Sequence, residues 1–522
     1  MTNNDLQAAW AYHNGTKHSD QSIRSNPHFL DWETQPIPFK IYPRLEPIAL
    51  PQALASTHVA ALRAIAAPST GVGGPPVLTT QTLAEVFHFS AGITKRARYP
   101  GGEIYFRAAA CTGALYHIDL YLVCADLPDL ASGVYHFGPH DFALRRLRHG
   151  DYRAFLAQAC GEEPHVSSAP AVIVCASTYW RNAWKYQSRA YRHCFWDNGT
   201  ILANLLAVAV AHGLPAHIVL GFVDSEVSRF LGLDDEREGV ISVVPLGYGP
   251  GSKPPPAPPV EALALETQPL SKSEVDYPAI RAMHAASSLE DAAEVVSWRA
   301  RAPRFSPAMA AVPSSERGSQ PRVLPLSPPQ DDAVPHDALE EVIRRRGSTR
   351  EFAREPISLE QLSTILDRAT RGVPTDFSAA KGPALNHLYL IVNAVDGLAP
   401  GAYVYQPEAS ALELLKAGTF RRDAGHLGLG QEIPADAAVD VFFLTDLQQV
   451  LERWGNRGYR AAQLEAAVMG GKLYLAAYAQ GLGASGLTFF DDDVTEFFSP
   501  HAAGKSVMFL IALGKSAKRR VR

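Results

Sequence analysis

The chain has 522 residues, 47% of them hydrophobic, with 7 Trp, 19 Tyr and 22 Phe, which excludes a mostly disordered polymer. A single core stops growing at about 250–300 residues, so two or more domains are expected. With 48 Lys and Arg against 53 Asp and Glu there is no broad basic field for nucleic acid, and the basic tail at residues 515–522 reads either as a solvated end or as a phosphate contact.

The start, Met1-Thr-Asn-Asn-Asp5, lacks the basic and apolar regions of a secretory signal. Cys111, Cys124, Cys160, Cys175 and Cys194 are odd in number and form no C-x-x-C pair, so reduced, mostly buried thiols and a cytoplasmic location are expected. His13 and His18 have no Cys or carboxylate cluster beside them, and no metal site is expected. Leu120-Tyr121-Leu122-Val123 is a β-rich run that predicts a buried strand. Ile201, Leu202, Leu205, Leu206 and Ala209 form the stripe of an apolar helix closed by Gly213. The run at residues 201–211 is interrupted by Asn204 and falls short of the roughly 20 residues of a membrane span, so no membrane association is expected. Residues 248–259 are Pro-rich and predict a semi-rigid spacer; residues 303–335 predict a Pro/Ser-rich loop. Asp337-x-x-Glu340 and Ser358-x-x-Gln361 both fit a capping box, and the second opens the helical stripe Leu359, Leu362, Ile365, Leu366 and Ala369, which stops at Gly372. A second β-rich run covers Leu388 to Val392, and a second apolar helix Leu473 to Gln480.

These elements recur at a fixed offset. Arg189-Ala-Tyr191-Arg192 returns as Arg457-Gly-Tyr459-Arg460, 268 residues later, and the same offset carries Gly133-Val-Tyr135 onto Gly401-Ala-Tyr403. One residue of slippage later, Phe222-Val-Asp224 meets Phe489-Phe-Asp491, and the arms beginning at Tyr12-His13 and Met283-His284 match loosely. The expected organisation is α+β: a first domain at residues 1–250 with an N-terminal arm, a linker at 251–262, and a second domain at 263–522 containing the 303–335 loop.

There is no G-x-G-x-x-G after a strand, no P-loop, no H-E-x-x-H and no G-x-S-x-G; Gly71 to Gly74 and Gly428 to Gly430 are loop glycines without that context. Arg346-Gly347-Ser348-Thr-Arg350-Glu-Phe352 resembles the R-x-S-x-R-x-F opening of nitroreductase-type flavoproteins, in which guanidinium forks pair with phosphate. Arg107-Ala-Ala-Ala110-Cys111-Thr112-Gly113-Ala-Leu-Tyr116 resembles the family's R-x-x-P-S-x-G-A-L-Y loop, with Ala110 replacing Pro and Cys111 replacing Ser. Lys185-Tyr186, Arg189-Ala-Tyr-Arg192, Asp197-Asn-Gly199 and the arm from Tyr12 to Lys40 resemble one branch, the SagB/ThcOx-type dehydrogenases. The resemblance implies two tandem nitroreductase-like domains, each a central sheet flanked by helices, folded as an intramolecular pseudo-dimer with FMN at the interface and higher oligomers left open.

The R-x-S-x-R element occurs only in the second half, and the loop is recognisable only in the first, its copy at Thr375 to Lys381 being eroded. Because the family builds each pocket from the Arg motif of one subunit and the loop of the other, the resemblance implies one FMN per chain. Arg346, Gly347, Ser348 and Arg350, with Lys515, Arg519 or Arg520, would hold its phosphate; Arg107, Cys111, Thr112, Gly113, Gly486, Leu487 and Thr488 would complete the site. Lys185 and Tyr186 match the branch's catalytic pair and are the catalytic candidates; the alternative is a surface Lys and a packed Tyr on a helix. Arg189 and Tyr191 occur in both halves and are expected to be structural. The implied function is an FMN-dependent oxidoreductase that oxidises an azoline in a peptide or small molecule; the alternatives are an NAD(P)H-dependent nitro- or quinone-reductase and a flavin-binding scaffold without turnover.

Overall fold

The computed structural model describes residues 2–25, 27–67, 78–99, 102–249, 253–302, 322–378 and 384–517. Each half is built on one antiparallel sheet. In the first the strands run in the order Pro47–Ala49, Ala143–His149, Gly133–Gly138, Ile118–Cys124, Ala171–Thr178, Glu238–Leu246. The second repeats it: Val323–Pro325, Ala411–Ala417, Gly401–Gln406, Asn386–Val392, Val439–Thr445, Ser506–Gly514, with Gly483–Gly486 added at the edge. The central strands are buried on both faces, which explains their continuous apolar runs. In Ile118–Cys124, Leu120 and Leu122 face the main core while Tyr121 and Val123 face a second core on the opposite side, as the two-residue period of a strand requires. The expected strands at residues 120–123 and 388–392 are both present, and the fold is α+β with two sheets flanked by helices.

The long helices Ala190–Ala211 and Arg457–Ala479 pack against each other at the centre. Their approach depends on one glycine in each helix. A Cβ on Gly199 would stand 2.4 Å from the Ala467 Cβ, and one on Gly471 would stand 2.5 Å from the Ala203 Cβ. The helical stretch Tyr179–Ala211 reaches the length and mean hydropathy of a membrane span, longer than the apolar run read from the sequence, but 89% of its apolar window is buried inside the molecule.

Crossed ion pairs lock the halves. Arg192 donates to Asp491 Oδ1 at 2.6 Å and Arg189 to Asp491 Oδ2 at 2.9 Å; Arg460 and Arg457 repeat this on Asp224 at 2.7 and 2.5 Å. The arms complete the same pattern: Arg192 Nη2 donates to His13 O and Arg460 Nη2 to His284 O, both at 2.7 Å. The repeated arginines therefore hold the pseudo-dimer together. His13, the first candidate ligand set aside above, also meets Tyr459 OH through Nδ1 at 3.3 Å.

One expected cap is corrected. The helix Leu339–Arg345 has Ala338 at its N-cap, with no side-chain cap bond. Asp337 instead pairs with Arg345, and Glu340 Oε1 accepts from Thr57 N and Oγ1 at 3.0 and 2.6 Å. Binding to the other half has displaced the local cap. The Ser358–Gln361 box is present, and its helix runs Leu359–Thr370. Beyond the spacer, the chain lies across the outer face of the first sheet, where Arg148 Nη2 donates to Glu261 O at 2.6 Å and Gln268 N to Ile41 O at 2.9 Å. The glycines at 71–74, residues 303–321 of the Pro/Ser-rich loop, Lys381, Arg519 and Arg520 lie outside the described residues.

Candidate flavin site between the halves

Arg346 follows the helix Leu339–Arg345 and crosses to the first half. Its Nε donates to Ala108 O at 2.9 Å and its Nη2 to Arg107 O at 2.8 Å. The motif of one half and the loop of the other thus meet. A guanidinium has five N–H donors, so this docking leaves donors over. Among the described residues no acid pairs with Arg346 or Arg350. Burial lowers the Arg346 pKa, and an anion beside it would offset that cost.

The rest of the motif runs along the edge strand Gly483–Gly486 of its own half. Thr349 N donates to Ala484 O at 2.8 Å. Tyr474 and Tyr478, one turn apart on the second long helix, approach Ser348 Oγ and Thr349 Oγ1, both at 3.3 Å. Gly486 N donates to Tyr474 OH. Gly347 is open: a Cβ there would have only Tyr478 OH nearby, at 3.7 Å. Gly486 is exposed, Leu487 is buried, and the Thr488 hydroxyl is buried without a partner among the described residues. Lys515 is half-exposed and lies 3.5 Å from Glu355, so in this state its ammonium faces that carboxylate.

Asp197, on the first long helix, organises the loop. Its Oδ1 accepts from Thr112 N and Oγ1 at 2.8 and 2.7 Å, and its Oδ2 from Cys111 Sγ at 3.0 Å. His117 Nε2 lies 2.9 Å from the same carboxylate. Burial raises the Cys111 pKa, with a further push from Asp197, so the thiol stays protonated and acts as a donor as a Ser hydroxyl would. Gly113 takes φ +64°, and a Cβ there would lie 2.9 Å from Tyr186 OH. Arg107 serves the arm: Nη2 donates to Pro38 O at 2.5 Å, and its guanidinium lies over the Phe39 and Tyr116 rings. Behind the loop is a small cavity lined by Ser90, Arg107, Ala110, Cys111, Asp197 and Ile201.

Lys185 and Tyr186 end the helix Tyr179–Tyr186, beside Gly113. Lys185 is exposed, its Nζ 5.4 Å from the Tyr186 ring centre, and it has no acidic partner among the described residues. Burial pushes the Tyr186 pKa up, reinforced by Asp197 and Cys111 and opposed by Arg350. A base would need that value lowered; as placed, the phenol keeps its proton. Reading the sequence missed Asp197 as the loop's anchor, Tyr474 as the partner of Ser348, and His193, whose ring packs 4.6 Å from that of Tyr186 with Nε2 unpartnered among the described residues. Asp197 already stood in the branch motif, and the i, i+4 tyrosines were the available signal for Tyr474.

The pseudo-equivalent pocket is built differently. Its loop copy carries Asp376, which accepts from Leu220 N and Gly221 N at 2.9 and 2.8 Å. Those amides lie in the first half's copy of the 486–488 segment. Ile218 N also donates to Pro374 O at 2.9 Å. Lys472 stands where the first half has Asn204 and donates to Gly372 O at 2.7 Å, its pKa lowered by burial to about 8. The remaining cavity is lined by Ala64, Ile65, Ala203, Leu206 and Pro374 beside Lys472.

Comparison with known proteins agrees with this two-fold plan. The nitroreductase family profile matches residues 105–248 and 343–515, more than half of the chain. A protein named as a nitroreductase, MJ1384 of Methanocaldococcus jannaschii, is 29% identical over 170 residues, 33% of this chain and 81% of its own. A crystal structure of a nitroreductase from Anabaena variabilis superposes with a TM-score of 0.75 and 26% identity, covering 98% of this chain and 99% of that one. A chain of the E. coli microcin synthetase McbBCD complex aligns over 47% of this chain and 93% of its own, at 17% identity and a TM-score of 0.31. With the profile matched once in each half and a solved relative aligned end to end, the chain belongs to the nitroreductase family.

Proposed function

We propose that the chain is an FMN-dependent oxidoreductase with one flavin site per polypeptide, and that it oxidises an azoline-type heterocycle in a peptide or natural product. The observation that carries the flavin reading is Arg346, a half-buried guanidinium with no acid among the described residues, docked on the carbonyls of residues 107 and 108 of the other half. The donor set fits FMN: cationic Arg346 and Arg350 and the Ser348 hydroxyl for phosphate, and, for the ring, the exposed Gly486 with the Thr488 hydroxyl, which has no partner among the described residues. When bound, FMN supplies a hydride acceptor; the protein supplies position and proton management.

In this reading Asp197 keeps the loop at residues 111–113 rigid, and Tyr186 holds its proton at Oη and orients substrate as a donor. Proton removal falls to Lys185 as a neutral amine, a form that covering this exposed side chain with a bound substrate would favour. The azoline assignment rests on the resemblance at residues 12–40 and 185–199. The single-site assignment is supported by Asp376, which occupies the amides of the second pocket.

The test is the flavin content of the purified protein, followed by turnover. The expected result is about one FMN per chain and conversion of a thiazoline to a thiazole with oxygen uptake, lost in Lys185→Ala. A ratio near two refutes the single site. Rapid NADPH oxidation with a quinone and no azoline turnover assigns the reductase chemistry instead. Colourless protein that takes up no added FMN overturns the flavin reading.

A further inference from the structure

Glu163, His165 and His217 stand together outside the candidate flavin site. Glu163 caps the short helix Pro164–Ser168, and its Oε2 accepts from Val166 N at 2.9 Å. Its Oε1 meets His165 Nδ1 at 2.7 Å. The carboxylate is only 3% exposed, yet no Lys or Arg pairs with it among the described residues. A buried carboxylate without a cation is costly, which calls for an additional positive charge. His217 arrives from the loop after the first long helix. Its ring lies 4.3 Å from that of His165 at an interplanar angle of 26°, and the Tyr248 ring closes the other side at 4.4 Å from His165. Each of the three side chains offers one ligand atom, and these atoms all lie within 4.8 Å of one another. Sequence reading could not assemble this group, because 52 residues separate His217 from His165.

We propose that Glu163, His165 and His217 bind one divalent transition-metal ion of the zinc type. Two imidazoles and one carboxylate suit such an ion better than calcium or magnesium, which favour all-oxygen sets. Tetrahedral bonds of 2.0–2.1 Å set donors roughly 3.3 Å apart, so side-chain adjustments of about 1 Å close the shell. His165, 37% exposed at its side chain, opens the site to solvent and leaves room for water as a fourth ligand. The ion would tie the Pro164–Ser168 helix to the loop at His217. The next residue, Ile218, pairs with Thr375 of the second half. The site therefore braces the segment on which the two halves dock.

The experiment uses the full chain, dialysed against chelator and titrated with zinc chloride at neutral pH by calorimetry, with flavin content measured in parallel. One equivalent of zinc should bind and raise Tm. His217→Ala and Glu163→Gln should each weaken binding at least about tenfold and abolish the Tm rise, while flavin content stays unchanged. Glu163→Gln keeps a side-chain oxygen for the Val166 cap, so it decides the matter if the His217 variant folds poorly. Absence of stoichiometric zinc binding, or zinc affinity unchanged in Glu163→Gln, overturns the proposal.

Discussion

Asp376 belongs to the second half, but both its carboxylate oxygens serve backbone N–H groups of the first. Burial raises its pKa to about 6 despite these two bonds. An unfolded Asp titrates near 3.9, so between pH about 4 and 6 the folded chain keeps a proton that the unfolded chain has released. The stability tied to this group is complete below pH about 4 and is lost as pH rises through 6, a change on the order of 3 kcal/mol. Asp376→Asn removes the titration and gives up one of the two acceptors, so it should be less stable than the parent at pH 4, with the gap closing by pH 7. Denaturant unfolding of both proteins at the two pH values measures this. Parallel losses would show that Asp376 titrates normally. The same side chain separates the two pockets: where the first half's loop is anchored by Asp197, the second half's loop puts its own carboxylate onto the amides.

The two long helices meet where Gly199 faces Ala467 and Gly471 faces Ala203, so each contact pairs a residue with no side chain against a methyl group. A Cβ on Gly199 would lie 2.4 Å from the Ala467 Cβ and 2.9 Å from Ala467 C and Val468 N, which are backbone and cannot turn aside. Gly199→Ala should therefore destabilise the fold by about 1–3 kcal/mol, seen as a lower denaturant midpoint. Adding Ala467→Gly removes the methyl contact and leaves the backbone contacts, so recovery should be partial. A Gly199→Ala midpoint equal to the parent's would mean the helices separate at no cost. This geometry explains which elements were legible beforehand. Strands such as Leu388 to Val392 and the helix after Ser358 announce themselves through local pattern and caps, and the repeat exposed the pairing of the halves. Asp337-x-x-Glu340 misled because Glu340 is claimed by Thr57, a residue of the other half. In the candidate site the motifs at residues 107–113 and 346–350 were visible as strings. What the strings could not carry was orientation: that Arg107 serves the arm, that burial keeps Tyr186 protonated, and that Glu163, His165 and His217 converge.

At the level of the whole chain, two clusters of buried charge cross between the halves. Asp491 is held by Arg189 and Arg192, and Asp224 by Arg457 and Arg460, all six side chains being buried. The main core is one continuous cluster containing Leu62, Phe87 and Tyr191 of the first half with Leu366, Phe377 and Tyr459 of the second. Unfolding one half alone would leave two buried charge clusters broken and half of that core in water. Breaking a buried pair costs about 3–5 kcal/mol, and apolar exposure adds roughly 25 cal/mol per Å², so a species with one folded half has no stable footing. The chain should unfold in a single calorimetric transition although its length would accommodate two domains, with the van't Hoff and calorimetric enthalpies in agreement. Asp491→Ala strands two buried guanidinium groups of the first half, yet it should lower that one transition as a unit rather than split it. Two resolved transitions, with only the second half's shifted by the substitution, would show that the halves fold independently and that the crossed arginines are incidental to the assembly.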